Sequence, residues 1–486
     1  MNYDFICVCL SFIAPFLMGM IIFFLRKGLL TNVILSLVSI AFALFSTFYS
    51  FHILKYGESL SLDFYGFFFL DGFGIFMQFM VEFVTIFVIL YSLKELPHNY
   101  FHRTKQFHFY FSMILISVGF MNVAFSLNNL FLIYIALELS SIVAVYLIAF
   151  NLTKEALKAG FRYLLVVNVG ILFSLLGIVF IYYATGQEVS ISSMGQIVSS
   201  LSRDMALLCA GLFIIGFFTK AGLMPFHIWL PDAYAESPTA VTFFLAGAVT
   251  KIGFYGLART VAAFAYNLEE IRLLVIILTS LSMLFGAVLS FNQRDIKKLI
   301  AYCSISEMGL IASAFVLNSY SGFWGGVFHM LNHTLMKGAL FLSVGALIYL
   351  CGSRRIEDIS LLPKKNSVII ISFIIGAMAV GGMPPFSSFL SAVTVIFNLA
   401  EERFFWSSVI LAISGFISVI ALLRTANVIF WEKNEEGELK SDTSLPALMI
   451  FCSLFLAILL IVVGVYTEVI YCLIDSAAKS ILATIH

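Results

Sequence analysis

Seven ionisable side chains stand inside runs of apolar residues, and their types are those that hand protons to one another. Glu138 sits in Ile133-Tyr134-Ile135-Ala136-Leu137-Glu138-Leu139, Lys220 closes an apolar run just before Gly222-Leu223-Met224-Pro225, and Lys251 lies in the next run. Glu307 falls in Ser304-Ile305-Ser306-Glu307-Met308, while His329, His333 and Lys337 follow at i, i+4, i+8, which aligns them on one helical face. Glu82, in Met80-Val81-Glu82-Phe83, is a further such group. A buried lysine loses affinity for its proton through desolvation and regains it beside a carboxylate, so a Glu–Lys pair is a switch. Histidine, with an ordinary pKa near 6.5, passes protons at physiological pH. Each of these groups also has a structural reading: Glu138 with Lys220 as an ion pair holding two helices, or the histidines as interhelical hydrogen-bond partners. Two histidines at i, i+4 with no nearby carboxylate or thiolate on that span do not make a metal site.

The elements that hold these groups are membrane spans. Hydrophobic residues make up 61% of the 486-residue chain and charged residues 11%, far from the roughly 25% charge of soluble domains. A net charge of zero argues against a nucleic-acid partner, and no nucleophile–base set, phosphate loop or metal cluster marks an enzyme. The seven cysteines (7, 9, 209, 303, 351, 452 and 472) are scattered, mostly through apolar runs, and read as small buried hydrophobes. The first apolar run lacks a basic leader and reads as a retained helix. With about 20 residues needed per span, the continuous runs predict an all-α integral membrane protein of about fourteen transmembrane helices: 5–25, 30–53, 73–93, 108–127, 129–150, 161–185, 205–224, 239–264, 273–291, 298–317, 323–350, 367–398, 405–430 and 445–471. On that count the odd-numbered loops carry 17 basic residues and the opposite side 6. The positive-inside rule then places the odd loops in the cytoplasm and both termini outside. At bilayer depth a charged side chain costs at least about 2.5–3.5 kcal/mol on insertion scales, so groups kept there face the protein interior and have partners.

Two spans are interrupted alike. Gly222-Leu223-Met224-Pro225-Phe226 ends the seventh, and Gly382-Met383-Pro384-Pro385-Phe386 breaks the twelfth, 160 residues later. Pro225, Pro384 and Pro385 each remove a helical donor. Breaks five spans apart fall in segments of opposite direction, the pattern of an inverted-repeat transporter, although membrane helices often contain proline without one.

Several motifs in the same order resemble one family. His227-Ile228-Trp229-Leu230-Pro231-Asp232-Ala233, followed by Glu236-Ser237-Pro238-Thr239-Ala240, is similar to a signature of the antiporter-like subunits of respiratory complex I, of Mrp-type cation/proton antiporters and of energy-converting membrane-bound hydrogenases. Arg294-Asp295-Ile296-Lys297-Lys298-Leu299-Ile300-Ala301-Tyr302-Cys303-Ser304 resembles the family's ninth-to-tenth-helix motif. Phe328-His329-Met330-Leu331-Asn332-His333-Thr334-Leu335-Met336-Lys337 resembles its eleventh-helix motif, and Gly382-Met383-Pro384-Pro385-Phe386 its twelfth-helix break. The resemblance implies fourteen helices with two inverted five-helix repeats: an N-terminal three-helix segment (1–107), a first repeat (108–264), a second repeat (265–431), and a C-terminal loop with helix fourteen (432–486). It also implies that Glu138 is the fifth-helix glutamate, Lys220 the seventh-helix lysine and Lys251 the eighth-helix bridging lysine. His329, His333 and Lys337 then lead to the second half-channel. One departure stands out: where the family usually carries lysine or glutamate after the twelfth-helix break, this chain has Ala392. Either water and another residue serve the exit, with Glu307 a candidate to compensate, or this copy is partly a scaffold.

The expected function is proton translocation, with sodium an alternative ion, by a membrane-arm subunit of a redox-driven complex of the complex I or hydrogenase and formate-hydrogenlyase type. Such a chain holds no cofactor; iron–sulfur clusters, with NiFe or flavin, belong to partner subunits. The expected partners are paralogous antiporter-like chains, peripheral redox subunits and lipid, in a prokaryotic plasma membrane. The alternatives are a subunit of a stand-alone Mrp-type Na+/H+ antiporter and a non-pumping structural subunit.

Overall fold

The computed structural model describes residues 3–56, 61–64, 66–362, 367–431 and 444–485. The helices run in order: α1 (Tyr3–Leu25), α2 (Leu29–Tyr56), α3 (Gly72–Asn99), α4 (Phe107–Ala124), α5 (Leu130–Ile148), α6 (Lys154–Thr185), α7 (Arg203–Ala221), α8 (Thr239–Asn267), α9 (Glu269–Ser290), α10 (Ile296–Ala314), α11 (Tyr320–Cys351), α12 (Ser367–Val380), α13 (Ser387–Glu401), α14 (Phe405–Phe430), α15 (Ala447–Val465) and α16 (Glu468–Ile485). Among the described residues, twelve of these are long and apolar enough to cross a membrane, namely α1 to α9, α11, α14 and α15. Composition explains why α10 is not among them, since it carries Lys297, Lys298 and Glu307 in 19 residues. Helices α12 and α13 are the two short apolar halves of one interrupted run. The chain is thus an integral membrane protein built of helices.

Large apolar side chains left exposed on the outer helices, such as Phe24, Leu30, Phe161 and Phe416, are what hydrocarbon would cover. Inside that wall lies α8, buried along its length except for Tyr266 and Asn267 at its end. It is wound with two wider π stretches, Leu245–Val249 and Leu257–Val261, on either side of the turn that carries Lys251. Such stretches shift the register of a helix and are found often at functional positions. The 32-residue α11 packs against α10, α12, α13, α15 and α16.

Two elements depart from the expected pattern. A hairpin of β1 (Ser61–Phe64) and β2 (Phe68–Asp71) joins α2 to α3. Four-residue strands give too short a pattern to be read from sequence. It docks on the α4–α5 turn through Phe69 N–H to the Ser126 carbonyl at 2.9 Å. Asp71, at its end, caps α3 by accepting from Gly74 N at 2.8 Å. The same carboxylate takes both terminal nitrogens of Arg259 at 2.8 and 2.5 Å, in a pair whose side chains are each 1% exposed. Beyond α15 the chain forms an additional amphipathic helix, α16, which lies against α3 and α11. The expected loop at 432–443, with Lys433 and Lys440, and Lys364 and Lys365 lie outside the described residues.

Loops of like parity touch. Arg162 and Lys298 both reach Asp232, Lys298 at 2.7 Å, and Arg354 reaches Glu236 at 2.8 Å. On the other face Asn129 contacts Glu188 at 3.1 Å, and Arg272 contacts Glu402 at 2.9 Å. The two breaks are closed by one hydrogen-bonding scheme. Gly222 (φ +73) lets Leu223 N–H reach the Phe218 carbonyl at 2.9 Å; Gly382 (φ +60) lets Met383 N–H reach Met378 at 3.3 Å. This is the 6→1 closure of a Schellman motif, for which glycine is suited because it has no Cβ to strain. A second correspondence runs at a spacing of 165–166 residues. Asn129 caps α5 and Asp295 caps α10; Leu130 N–H bonds the Val189 carbonyl at 2.8 Å, and Ile296 N–H bonds Arg354 at 3.1 Å.

Candidate ion-translocation site

Lys220 is the last residue but one of α7, two before its Gly222 cap, so its ammonium emerges where the helix stops and carbonyls are left without donors. It is buried, donates to Ser141 Oγ, and lies 3.3 Å from the Tyr163 hydroxyl. Ser141 is three residues beyond Glu138 on α5. Lys220 therefore rests on a hydroxyl pair, with Ser141 in turn bonded to the Leu137 carbonyl, in place of the direct bond to Glu138 suggested by a Glu–Lys switch. One oxygen of Glu138, Oε2, is buried with no hydrogen-bond partner among the described residues.

On α8, Lys251 Nζ stands 2.7 Å from His333 Nδ1 on α11, both fully buried. Two positive charges at that distance repel strongly in a low dielectric, so at most one of the pair carries charge at a time. His333 Nε2 and the ammonium of Lys337, one turn further along α11, have no hydrogen-bond partner among the described residues. One turn the other way, His329 bonds Glu307 Oε2 on α10 through Nε2 at 2.8 Å and Ser391 Oγ on α13 through Nδ1 at 2.9 Å. Asn332 fixes the same serine at 2.9 Å. The i, i+4, i+8 spacing thus puts three groups on one face, reaching α8 and α10 as separate partners.

Beside Glu307 and His329 lies a cavity of about 240 Å³, bounded by the broken span and by Ala392. Pro225, Pro384 and Pro385 all sit within the breaks, with Thr219 and Ala379 carbonyls recaptured by Trp229 Nε1 (2.8 Å) and Ser388 Oγ (2.6 Å). The tryptophan of the His-x-Trp-Leu-Pro-Asp signature is therefore a cap for the broken helix, packed edge-on to Tyr163 at 4.9 Å, and its aspartate clamps α6 and α10.

Glu82 lies apart from this row. Its Oε1 accepts from Thr47 at 3.0 Å and Asn122 at 2.9 Å, while Oε2 is unpartnered among the described residues. Two groups were not singled out in the sequence. Glu95, near the end of α3, accepts from Thr239 N at 2.6 Å and Ala240 N at 2.9 Å, capping α8. Lys297 donates to the Ser237 carbonyl at 2.8 Å and Thr242 Oγ1 at 3.1 Å. Both line a polar depression of about 500 Å³, shared with Glu236 and Arg354, where loops of one face meet. In the sequence they read as loop charges, and only the fold brings them to the Ser237-Pro238-Thr239 turn. Among the described residues no cluster of three or more metal-ligating side chains occurs.

A bundle of membrane-spanning helices with two broken helices and buried lysine, histidine and glutamate in its interior defines the class of a polytopic membrane subunit. The model of the NADH:quinone oxidoreductase/Mrp antiporter transmembrane family matches residues 127–418, and the chain belongs to that family. It is 29% identical over 415 residues to a hydrogenase-4 component F homolog of Methylacidiphilum infernorum, covering 82% of this chain and 85% of that one. It is 26% identical over 423 residues to a Na(+)/H(+) antiporter component of Bacillus subtilis, covering 85% and 83%. Its fold matches a chain of the membrane-bound sulfane sulfur reductase, an archaeal respiratory membrane complex, with a TM-score of 0.85 at 24% identity over 98% of this chain and 97% of that one.

Proposed function

We propose that this chain translocates protons, or exchanges them for sodium, as an antiporter-like membrane-arm subunit of a redox-driven complex of the complex I or hydrogenase type. The observation that carries this reading is the row from Glu138 and Lys220 through Lys251 and His333 to Lys337, His329 and Glu307. Three of its buried atoms, Glu138 Oε2, His333 Nε2 and Lys337 Nζ, have no partner among the described residues. Buried polar atoms without a protein partner are as a rule satisfied by water, so bound water joins the segments into one path. Protons enter from the depression at Glu95 and Lys297, and Lys220 passes charge to Lys251 and His333. Redox centres in partner subunits, iron–sulfur clusters with NiFe or flavin, supply the driving force.

The fourteen-span reading adds α10 and the α12–α13 pair, as a broken span, to the twelve long helices. Contacts between loops of like parity support it, as does the excess of basic residues on one face; the same excess favours termini on the outer side, and likeness to bacterial relatives favours a prokaryotic plasma membrane. The paired breaks and paired caps support two inverted repeats over 108–264 and 265–431. Likeness to the Bacillus subtilis antiporter component favours a stand-alone Mrp-type exchanger as the second reading. Replacing Lys220 by alanine in the reconstituted complex tests the first: redox turnover persists and proton translocation falls to background. Undiminished translocation in an assembled Lys220→Ala complex refutes it and leaves a structural role for the chain.

A further inference from the structure

The 160-residue correspondence between the breaks sets Lys220, two residues before Gly222, against Val380, two residues before Gly382. The first break carries a tethered ammonium at the C-terminal end of its half-helix, where carbonyl dipoles concentrate negative potential. The second has the same dipole end and no tethered cation among the described residues. Two of its carbonyls lack the usual helical donor, because proline has no N–H: Val380 and Gly381 face Pro384 and Pro385 at the i+4 positions where a helix would supply one. A cavity of about 240 Å³ replaces the lysine side chain, and Val380, Gly381, Gly382 and Glu307 line it.

From this contrast we infer that the second break binds a mobile monovalent cation, sodium with part of its water shell, in the cavity between Glu307 and the Val380–Gly382 turn. The inference rests on the translocation reading and supplies its second ion. Oxygen is the donor that hard cations take, and the cavity offers it from several sides. Glu307 keeps one carboxylate oxygen engaged with His329 and retains a little exposure toward the cavity. Ser306 and Ser414 spend their hydrogens on the carbonyls of Met283 and Leu411, at 2.8 and 2.9 Å, which leaves lone pairs for a ligand. Carbonyls at unwound helix ends are a recurrent cation ligand in transporters. Ala392, which lines the same space, adds no fixed charge to compete.

Glu307 then stands between the cation and the titratable side chains around it. The titratable groups that face it are His329 on its own cavity wall, with Cys303 on α10 and Lys337 on α11 within Coulombic reach. Among the described residues, the cavity walls from α9, α12, α13 and α14 contribute none. A sodium ion at Glu307 repels a positive charge on Lys337, so entry of one cation is balanced by release of one proton from that lysine.

The test is equilibrium binding of radioactive sodium to the purified complex. The complex with Glu307→Gln is expected to bind one sodium ion fewer per chain than the unmodified complex, and Glu307→Asp to keep the site with weaker affinity. Val380→Lys, which copies the first break into the second, is expected to lose the same single ion with the complex assembled. Equal sodium binding by unmodified and Glu307→Gln complexes overturns the inference. A Val380→Lys complex that retains the ion overturns it too, and because the Glu307 arm stands alone, a Val380→Lys chain that fails to assemble leaves the question decided there. Neither result touches the Lys220→Ala experiment, so loss of the sodium site and loss of the translocation reading are told apart.

Discussion

The two broken spans share a backbone and differ in what they carry. Each ends in a left-handed glycine, closes by the same 6→1 hydrogen bond and has a carbonyl recaptured from outside the helix. Around the first, the space is filled: Lys220, Ser141, Tyr163 and Trp229 pack on one another. Around the second, valine stands in place of lysine, serine in place of tryptophan as the cap, and a cavity opens onto Glu307. A helix break is thus a scaffold with a negative dipole end, and the residues set on it decide whether a fixed ammonium or a free ligand answers that potential.

The largest effect expected from breaking this comparison is on transport. Lys220→Ala removes the fixed cation of the first break, and translocation by the reconstituted complex falls to background. Glu307→Gln keeps shape and removes charge at the second. It lowers translocation less, because the Lys251–His333 contact is untouched. If the two sites lie on one path, the double variant is no worse than Lys220→Ala alone, since effects within one network do not add. Flux measured in all three variants decides between one path and two.

Backbone substitutions come next and separate packing from conformation. Alanine at either glycine meets the left-handed penalty of about 1–2 kcal/mol. At Gly222 the new Cβ also falls 2.4 Å from Leu230 Cδ1, whereas at Gly382 its nearest contact is Ala392 Cβ at 3.7 Å. Overpacking adds about 1–3 kcal/mol, so Gly222→Ala is the more destabilising variant. Thermal unfolding in detergent reads the order directly, and equal losses would show that the first break relaxes as freely as the second. Smaller again is removal of the external caps. Trp229→Phe and Ser388→Ala each forfeit one hydrogen bond, worth about 0.5–1.5 kcal/mol. Both side chains are buried, and the tryptophan is expected to cost more because its larger ring also packs on Tyr163.

What is legible in the sequence follows from which residues contrast with their surroundings. A lysine in an apolar run cannot be overlooked, and a Gly–Pro sequence inside a span announces its own break, so the spans, Lys220, Lys251, His333 and both interruptions are evident there. The groups that hold them are not. Ser141, Tyr163 and Ser391 are ordinary in a membrane helix, and only the fold brings them to Lys220 and His329. Glu95 and Lys297 are buried charges that sit near helix ends, where sequence alone assigns charge to loops. Asp71 and Arg259 are obscured for the same reason, and because the hairpin that delivers Asp71 is short. The Glu307–His329 contact needs the packing of α10 on α11.

The smallest effect is the pH dependence of the breaks themselves. His227 follows the first break, and the 160-residue spacing sets it against Ser387, which does not titrate. Burial holds the His227 imidazole below its ordinary pKa, against the opposing pull of the Pro225 backbone. A histidine whose folded pKa lies below the unfolded value of about 6.5 favours the neutral form in the folded state. Its contribution to stability is complete above that value. It declines as pH falls from about 6.5 toward the folded pKa, because the unfolded chain binds the proton more tightly. His227→Gln removes that slope, and no substitution at Ser387 changes it. The difference between unmodified and His227→Gln proteins in thermal midpoint, measured at pH 7.5 and again near pH 5, is expected to shift by no more than about 2–4 °C, the scale of 1 kcal/mol in a large domain. A shift of the opposite sign would mean that the folded chain stabilises the imidazolium, and that the first break gains a second cation in acid.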